Sequence, residues 1–227
     1  IIKRAIDAVK LEKQVEKSGE FLLGKSPAMT KVIQEIHQVA DSNLSIVLQG
    51  ERGTGKTFIA NMIHNLSNCE NGPFIKVDLG AIPETLLESE LFGHEKGAFT
   101  GAEKKKKGYF QLADQGTIFI SLLENMSPHI QSKLFNVIEE RQLFPICSSR
   151  PIETEFRLIT STVQDIKKSV KDKKLQEDLF NHIGEYIINI PPLRKRKEDV
   201  AFFAHKFLLE ANAELKKQVR GISDSGI

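Results

Sequence analysis

Short apolar runs alternating with stretches of helical periodicity organise most of the chain. Residues 1–18 are rich in Lys and Glu, and Ile2, Ala5, Ile6, Val9 and Leu11 recur at roughly helical spacing, which predicts a leading helix. Ser18-Gly19 breaks that pattern. Ser26-Pro27 opens a second predicted helix, whose Val32, Ile36 and Val39 follow the 3.6-residue period. Apolar runs at 44–48, 74–77, 118–120, 157–160 and 187–190 then read as buried strands, the last closed by Pro191-Pro192. Helices are predicted over 57–66 and 85–91. This alternation argues for an α/β fold with a parallel sheet covered by helices on both faces. Beyond Leu193 a basic patch leads into an amphipathic helix over 199–215 carrying Phe202, Phe203 and Phe207. No internal repeat is present, and the lysine run at 104–107 reads as a solvated charge run.

Composition narrows the class. The 227 residues carry a net charge of +2, with 40% hydrophobic and 27% charged positions, the profile of a soluble globular protein. That length suits one large domain, or one domain and a piece of another. No apolar run approaches the ~18 residues a membrane span needs, no signal peptide opens the chain, and the charge is too balanced for a dedicated nucleic-acid-binding domain. Cys69 and Cys147 lie too far apart in sequence to imply a disulfide or zinc framework. A reducing, cytoplasmic location and no membrane partner are expected. Ile1 and Ile227 stand in mid-pattern, so the chain is read as a piece of a longer one.

The sharpest local motif is Gly50-Glu51-Arg52-Gly53-Thr54-Gly55-Lys56-Thr57, a full match to G-x-x-x-x-G-K-[ST]. The glycines let backbone N–H groups converge on phosphate oxygens. Lys56 reaches the β- and γ-phosphates, Thr57 offers a hydroxyl to Mg²⁺, and the following helix aims its positive end at the same anion. A predicted strand directly before and a helix directly after supply the context this motif requires.

Residues 87–102 read Leu-Glu-Ser-Glu-Leu-Phe-Gly-His-Glu-Lys-Gly-Ala-Phe-Thr-Gly-Ala. With the phosphate loop, this resembles the central AAA+ domain of bacterial enhancer-binding proteins, the activators of sigma-54 RNA polymerase. The stretches at 23–29, 80–83 and 191–196 are similar to that family as well, so the resemblance spans about residues 20–227. It implies a P-loop AAA+ fold, a linker helix at 1–19, an α/β nucleotide-binding unit at 20–193 and a partial helical lid at 194–227. It also implies ATP or ADP as cofactor, homo-oligomerisation, and promoter DNA held by a domain outside this chain. In the family, the segment Gly97, Ala98, Phe99, Thr100, Gly101, Ala102 caps a surface loop that touches the sigma factor. Sigma-54 is the implied partner, with the housekeeping sigma factor the alternative used by degenerate members.

The catalytic positions depart from the family pattern. Its second nucleotide motif ends a strand in Asp-Glu, where the Asp holds the Mg²⁺ shell and the Glu polarises the attacking water. Ser121 and Leu122 stand there, and Glu124, two residues on, reaches the place only through a bulge. Val163 replaces the sensor Asn, Asp78 replaces the Asn that restrains the catalytic Glu, and Gln176 and His182 replace both arginine fingers. The arginines with which flagellar members bind cyclic-di-GMP are matched by Glu20 and Asn61. A general base is worth ~10²–10⁴ in rate and an arginine finger ~10³–10⁵. The expectation is therefore a retained phosphate cradle with a weakened Mg²⁺ site and little or no ATP hydrolysis. The alternative is an active ring-forming ATPase that remodels sigma-54 polymerase.

Overall fold

The computed structural model describes residues 23–223; the helix expected over 1–18 lies outside them. Helix α1 (Pro27–Ala40) starts where Ser26 Oγ accepts the Met29 amide at 3.3 Å and Pro27 pre-sets the first turn. There follow β1 (Ile46–Gln49), α2 (Lys56–Asn65), β2 (Phe74–Asp78), α3 (Glu84–Phe92), β3 (Gly93–His94), β4 (Lys106–Lys107), α4 (Tyr109–Leu112) and β5 (Gly116–Ser121). The rest is α5 (Pro128–Glu140), β6 (Gln142–Leu143), β7 (Ile152–Glu153), β8 (Phe156–Thr162), α6 (Ile166–Lys171), α7 (Glu177–Ile183), β9 (Tyr186–Asn189) and α8 (Glu198–Leu215).

Five strands form one sheet in the order β2-β5-β8-β1-β9, every neighbouring pair parallel. Side chains on a strand alternate between faces. Ile118 and Ile120 thus join a core with α3, α5 and α7, while Phe119 between them packs with Ile46, Leu48, Ile159 and the inner faces of α1 and α2. Burying a side chain as completely as Phe119 contributes about 1.5–3 kcal/mol. β8 lies mid-sheet and is buried along its whole length. Its Arg157 is buried too, and the guanidinium donates to Ala40 O at 2.5 Å and Val39 O at 2.6 Å. It thereby satisfies carbonyls that the end of α1 leaves open.

Each predicted strand and helix within the described residues is present, with ends shifted by one or two positions. The shifts follow backbone pairing: β5 begins at Gly116, ahead of its apolar triplet, because Gly116 to Ser121 all have partners on β8. Helix α5 is an element the strand–helix alternation does not predict. The lysine run is exposed along its length and also takes part in a short hairpin. Lys106 and Lys107 pair antiparallel with His94 and Gly93, and Lys105 and Lys106 reach Glu95 and Glu90 at 2.6 and 2.5 Å.

Candidate functional site

Ligands of open parallel α/β sheets bind beyond the carboxyl ends of the strands, and the phosphate-loop motif lies there, joining β1 to α2. Gly53 and Gly55 sit at φ +77° and +97°, backbone that side-chain-bearing residues rarely adopt. Gly50 has a different reason: a Cβ there would come within 2.9 Å of Ile190 O. The Lys56 ammonium spans the loop, donating to Gly50 O at 2.7 Å and Glu51 O at 2.8 Å. Burial lowers its pKa, opposed by the Glu124 carboxylate and reinforced by Arg52. Thr54 Oγ1 donates to Glu51 O at 2.8 Å, and Glu51 pairs with Arg194 across the surface, Nη1 to Oε2 at 2.6 Å.

The loop borders a cleft of about 820 Å³ lined by Arg52, Gly53, Gly55, Lys56, Thr57, Phe58, Asp78, Gly80, Ala81, Ser121, Leu122, Asn125, Ser161 and Val163. The structure thus gathers Ser121, Leu122 and Val163 around the phosphate loop. Leu122 is in the left-handed region at φ +61°, which costs a residue of its type about 1–2 kcal/mol. Its side chain lies against Gly80, where a Cβ would meet Leu122 Cδ1 at 2.8 Å. The turn Leu123–Asn125 that follows leaves Glu124 out of the cleft lining, although its carboxylate still acts on Lys56. Glu124 Oε1 accepts the Val163 amide at 3.4 Å, and Oε2 is buried without a partner.

Gln176 and His182 stand apart from that cleft, at the start and on the flank of α7. The Gln176 side chain is tied to α5, donating to Ser132 Oγ at 3.0 Å and Pro128 O at 3.2 Å. His182 meets Glu139 at 3.3 Å and sets its ring edge-on to Phe135.

Beside the phosphate loop a second cavity, of about 240 Å³, is lined by Leu23, Gly53, Thr54, Gly55, Phe58, Leu193, Arg196, Phe203 and Phe207. Its mostly apolar wall is suited to a flat heterocycle next to a phosphate cradle. The motif search does not place Leu23 and Arg196 here. The signal available was the pair of segments at 23–29 and 191–196, which the fold brings together. Asp199 Oδ1 accepts the amides of Lys25 (2.7 Å) and Ser26 (2.8 Å), and Oδ2 accepts the Ser26 hydroxyl (2.7 Å). Arg196 donates to Leu23 O at 3.0 Å and Thr54 O at 3.5 Å. Its pKa is lowered by burial, with Asp199 opposing.

The segment Gly97–Ala102 forms a closed turn over the β3–β4 hairpin. Gly97 N donates to Ala102 O at 2.8 Å and Ala102 N to Phe99 O at 2.9 Å. Gly97 and Gly101 take φ +82° and +105° with open space where a Cβ would be, so conformation, not crowding, requires glycine there. Phe99 is 41% exposed, and the inner part of its ring rests on His94, centroids 4.9 Å apart. His94 is itself held by Ser89 Oγ at 2.7 Å. Thr100 is exposed at the tip. Among the described residues no helix is long and apolar enough to cross a membrane, and no group of His, Cys, Asp and Glu side chains forms a metal cluster.

Residues 22–189 match the sigma-54 interaction domain family. The chain is 45% identical over 202 residues to the Nif-specific regulatory protein of Herbaspirillum seropedicae, covering 89% of this chain and 37% of that protein. It is 37% identical over 220 residues to the DNA-binding transcriptional regulator NtrC of Salmonella typhimurium, covering 95% and 47%. The chain therefore spans less than half the length of these relatives. Among solved structures, NtrX from Brucella abortus in complex with ADP superposes with a TM-score of 0.82 at 28% identity, over 98% of this chain and 48% of that one. The P-loop NTPase domain of a sigma-54 activator from E. coli shares the fold, with a TM-score of 0.52 at 18% identity over 75% of this chain and 99% of that one. The five-stranded parallel sheet with its flanking helices is that of AAA+ P-loop NTPase domains.

Proposed function

The chain belongs to the sigma-54 interaction domain family, and from that premise we propose that it is the nucleotide-holding unit of a bacterial transcription regulator, one that contacts a sigma factor and hydrolyses ATP slowly or not at all. The observation that carries this is the mismatch within one cleft. The phosphate loop is complete, while the strand end that should present an acid and a general base presents Ser121 and Leu122.

ATP or ADP is the ligand this reading assigns, with phosphates against residues 50–57 and the base in the apolar cavity beside Phe58 and Phe203. Complexes of the similar NtrX protein with ADP and with ATP support that choice. Where Mg²⁺ accompanies the nucleotide, Thr57 is the hydroxyl ligand in reach of the phosphates, and the metal would screen phosphate charge. Without a carboxylate at 122 no side chain there can accept a proton from an attacking water, and without an Asn at 163 none there can orient it by hydrogen bonding. Gln176 and His182 lack the guanidinium fork with which a finger residue would reach a neighbouring copy's γ-phosphate. The protein assembles as a homo-oligomer in the cytoplasm, and promoter DNA is held by another domain of the regulator.

The Gly97–Ala102 turn supplies the polymerase contact, with sigma-54 the partner to be expected of this family and Phe99 as the apolar anchor. The intact turn also favours a second reading, an active ring-forming ATPase that remodels sigma-54 polymerase. Immobilised protein loaded with nucleotide is expected to retain sigma-54 RNA polymerase. Phe99→Ala should weaken retention about thirtyfold, the ~2 kcal/mol of an aromatic hot spot, and Thr100→Ala should act in the same direction. Retention of the housekeeping holoenzyme instead would reassign the partner; retention of neither would overturn the polymerase contact.

A further inference from the structure

The cleft has not lost its acid. Asp78 ends β2 as Ser121 ends β5, and the two are register partners on adjacent parallel strands. Both line the cleft, and among the described residues Asp78 is the only carboxylate that does. We infer that Asp78 is the carboxylate that faces Mg²⁺ bound with a nucleotide in this cleft, opposite the Thr57 hydroxyl. This inference rests on the nucleotide binding proposed above.

The geometry presents one oxygen and leaves another free. Asp78 Oδ1 accepts the Gly80 amide at 2.9 Å, a local turn that fixes the carboxylate at the mouth of the sheet. Its second oxygen has no hydrogen bond among the described residues, and the side chain is half-buried. Ser121 cannot take the same part: its hydroxyl donates to Val77 O at 3.3 Å and carries no charge. Glu124 gives one oxygen to the Val163 amide and does not line the cleft, its charge acting on Lys56 instead. Mg²⁺ takes oxygen ligands at near-octahedral geometry and is commonly met by one or two carboxylates together with substrate phosphates and water. A hydroxyl at 57 and a carboxylate at 78 lining one cleft with the phosphate loop match that donor chemistry.

Asp78 has a second effect, opposite in sign. Without the metal, its charge faces the nucleotide phosphates and repels them. The test is a fluorescent-ADP titration of the 227-residue protein in Mg²⁺ and in EDTA, with Asp78→Asn, which keeps the acceptor for Gly80. Wild-type affinity is expected to rise about tenfold with Mg²⁺, and the variant to lose that response while binding ADP more tightly than wild type in EDTA. A merely structural role for Asp78 would weaken both conditions alike. Glu124→Gln should keep the Mg²⁺ response. A full response in Asp78→Asn, or a wild-type affinity indifferent to Mg²⁺, overturns the inference. Absence of ADP binding in either buffer overturns the proposed nucleotide site, and the inference with it.

Discussion

Lys56→Ala should lower nucleotide affinity about 100-fold, the ~2.7 kcal/mol expected when a half-buried ammonium is removed from a charge-assisted phosphate contact. The loss is large because the Lys56 side chain is partly desolvated and already aligned across the phosphate loop, 2.7–2.8 Å from two loop carbonyls. An incoming phosphate replaces those weaker acceptors with a full charge. Removing Lys56 also leaves the Gly50 and Glu51 carbonyls without that donor, so circular dichroism must accompany the titration to separate a lost contact from a loosened loop. The readout is fluorescent-ADP affinity by anisotropy. A loss of less than about fivefold (~1 kcal/mol) would mean that the apolar cavity beside Phe58 and Phe203, and not the phosphate cradle, carries the binding.

Asp199→Ala should destabilise the fold by about 3–5 kcal/mol, the cost of removing one member of a buried charged network. Asp199 is fully buried and accepts three hydrogen bonds from Lys25 and Ser26. Those donors belong to the segment that starts α1, 173–174 residues away in sequence. Arg196 lies 3.9 Å from the carboxylate, too far for a close ion pair, so the hydrogen bonds carry the interaction and Arg196 adds a diffuse field. Gly24 exists in this arrangement for space: a Cβ there would stand 2.4 Å from Asp199 Cγ. Urea denaturation of wild type, Asp199→Ala and Asp199→Asn measures the effect. The Asn variant keeps an acceptor for the amides and should lose less. A change below ~1 kcal/mol in the Ala variant would show that α8 does not clamp the start of α1.

That clamp shows where sequence reasoning stops. The sheet is legible because apolar runs of three to five residues mark buried strands, and the phosphate loop is legible because its chemistry is confined to consecutive residues. Asp199 reads locally as an ordinary acid in the first turn of an amphipathic helix, and only the fold brings the Ser26 segment onto it. Helix α5 carried a usable signal: Ser127-Pro128 repeats the Ser26-Pro27 opening, and Ile130, Leu134, Val137 and Ile138 fall on one buried face. The two apolar residues Leu122 and Leu123 blur its beginning, since one ends up in a strained left-handed turn and the other in the core. The clustering of Ser121, Leu122 and Val163 around the phosphate loop follows from strand order, which puts the end of β8 beside β1 and that of β5 one strand further. Sequence spacing alone could not show that Asp78 lies in register with Ser121, because 42 residues separate two positions that only parallel pairing makes neighbours.

Leu122 and Val163 leave the strand ends beside the phosphate loop with no proton acceptor at 122 and no polar side chain at 163. The measurement that addresses this is phosphate release from saturating Mg-ATP, at protein concentrations that allow oligomers to form, with bound nucleotide quantified in the same sample. Occupied sites with phosphate release at the buffer background are the expected result. Sustained turnover that Lys56→Ala abolishes would contradict it and identify the chain as a working ATPase.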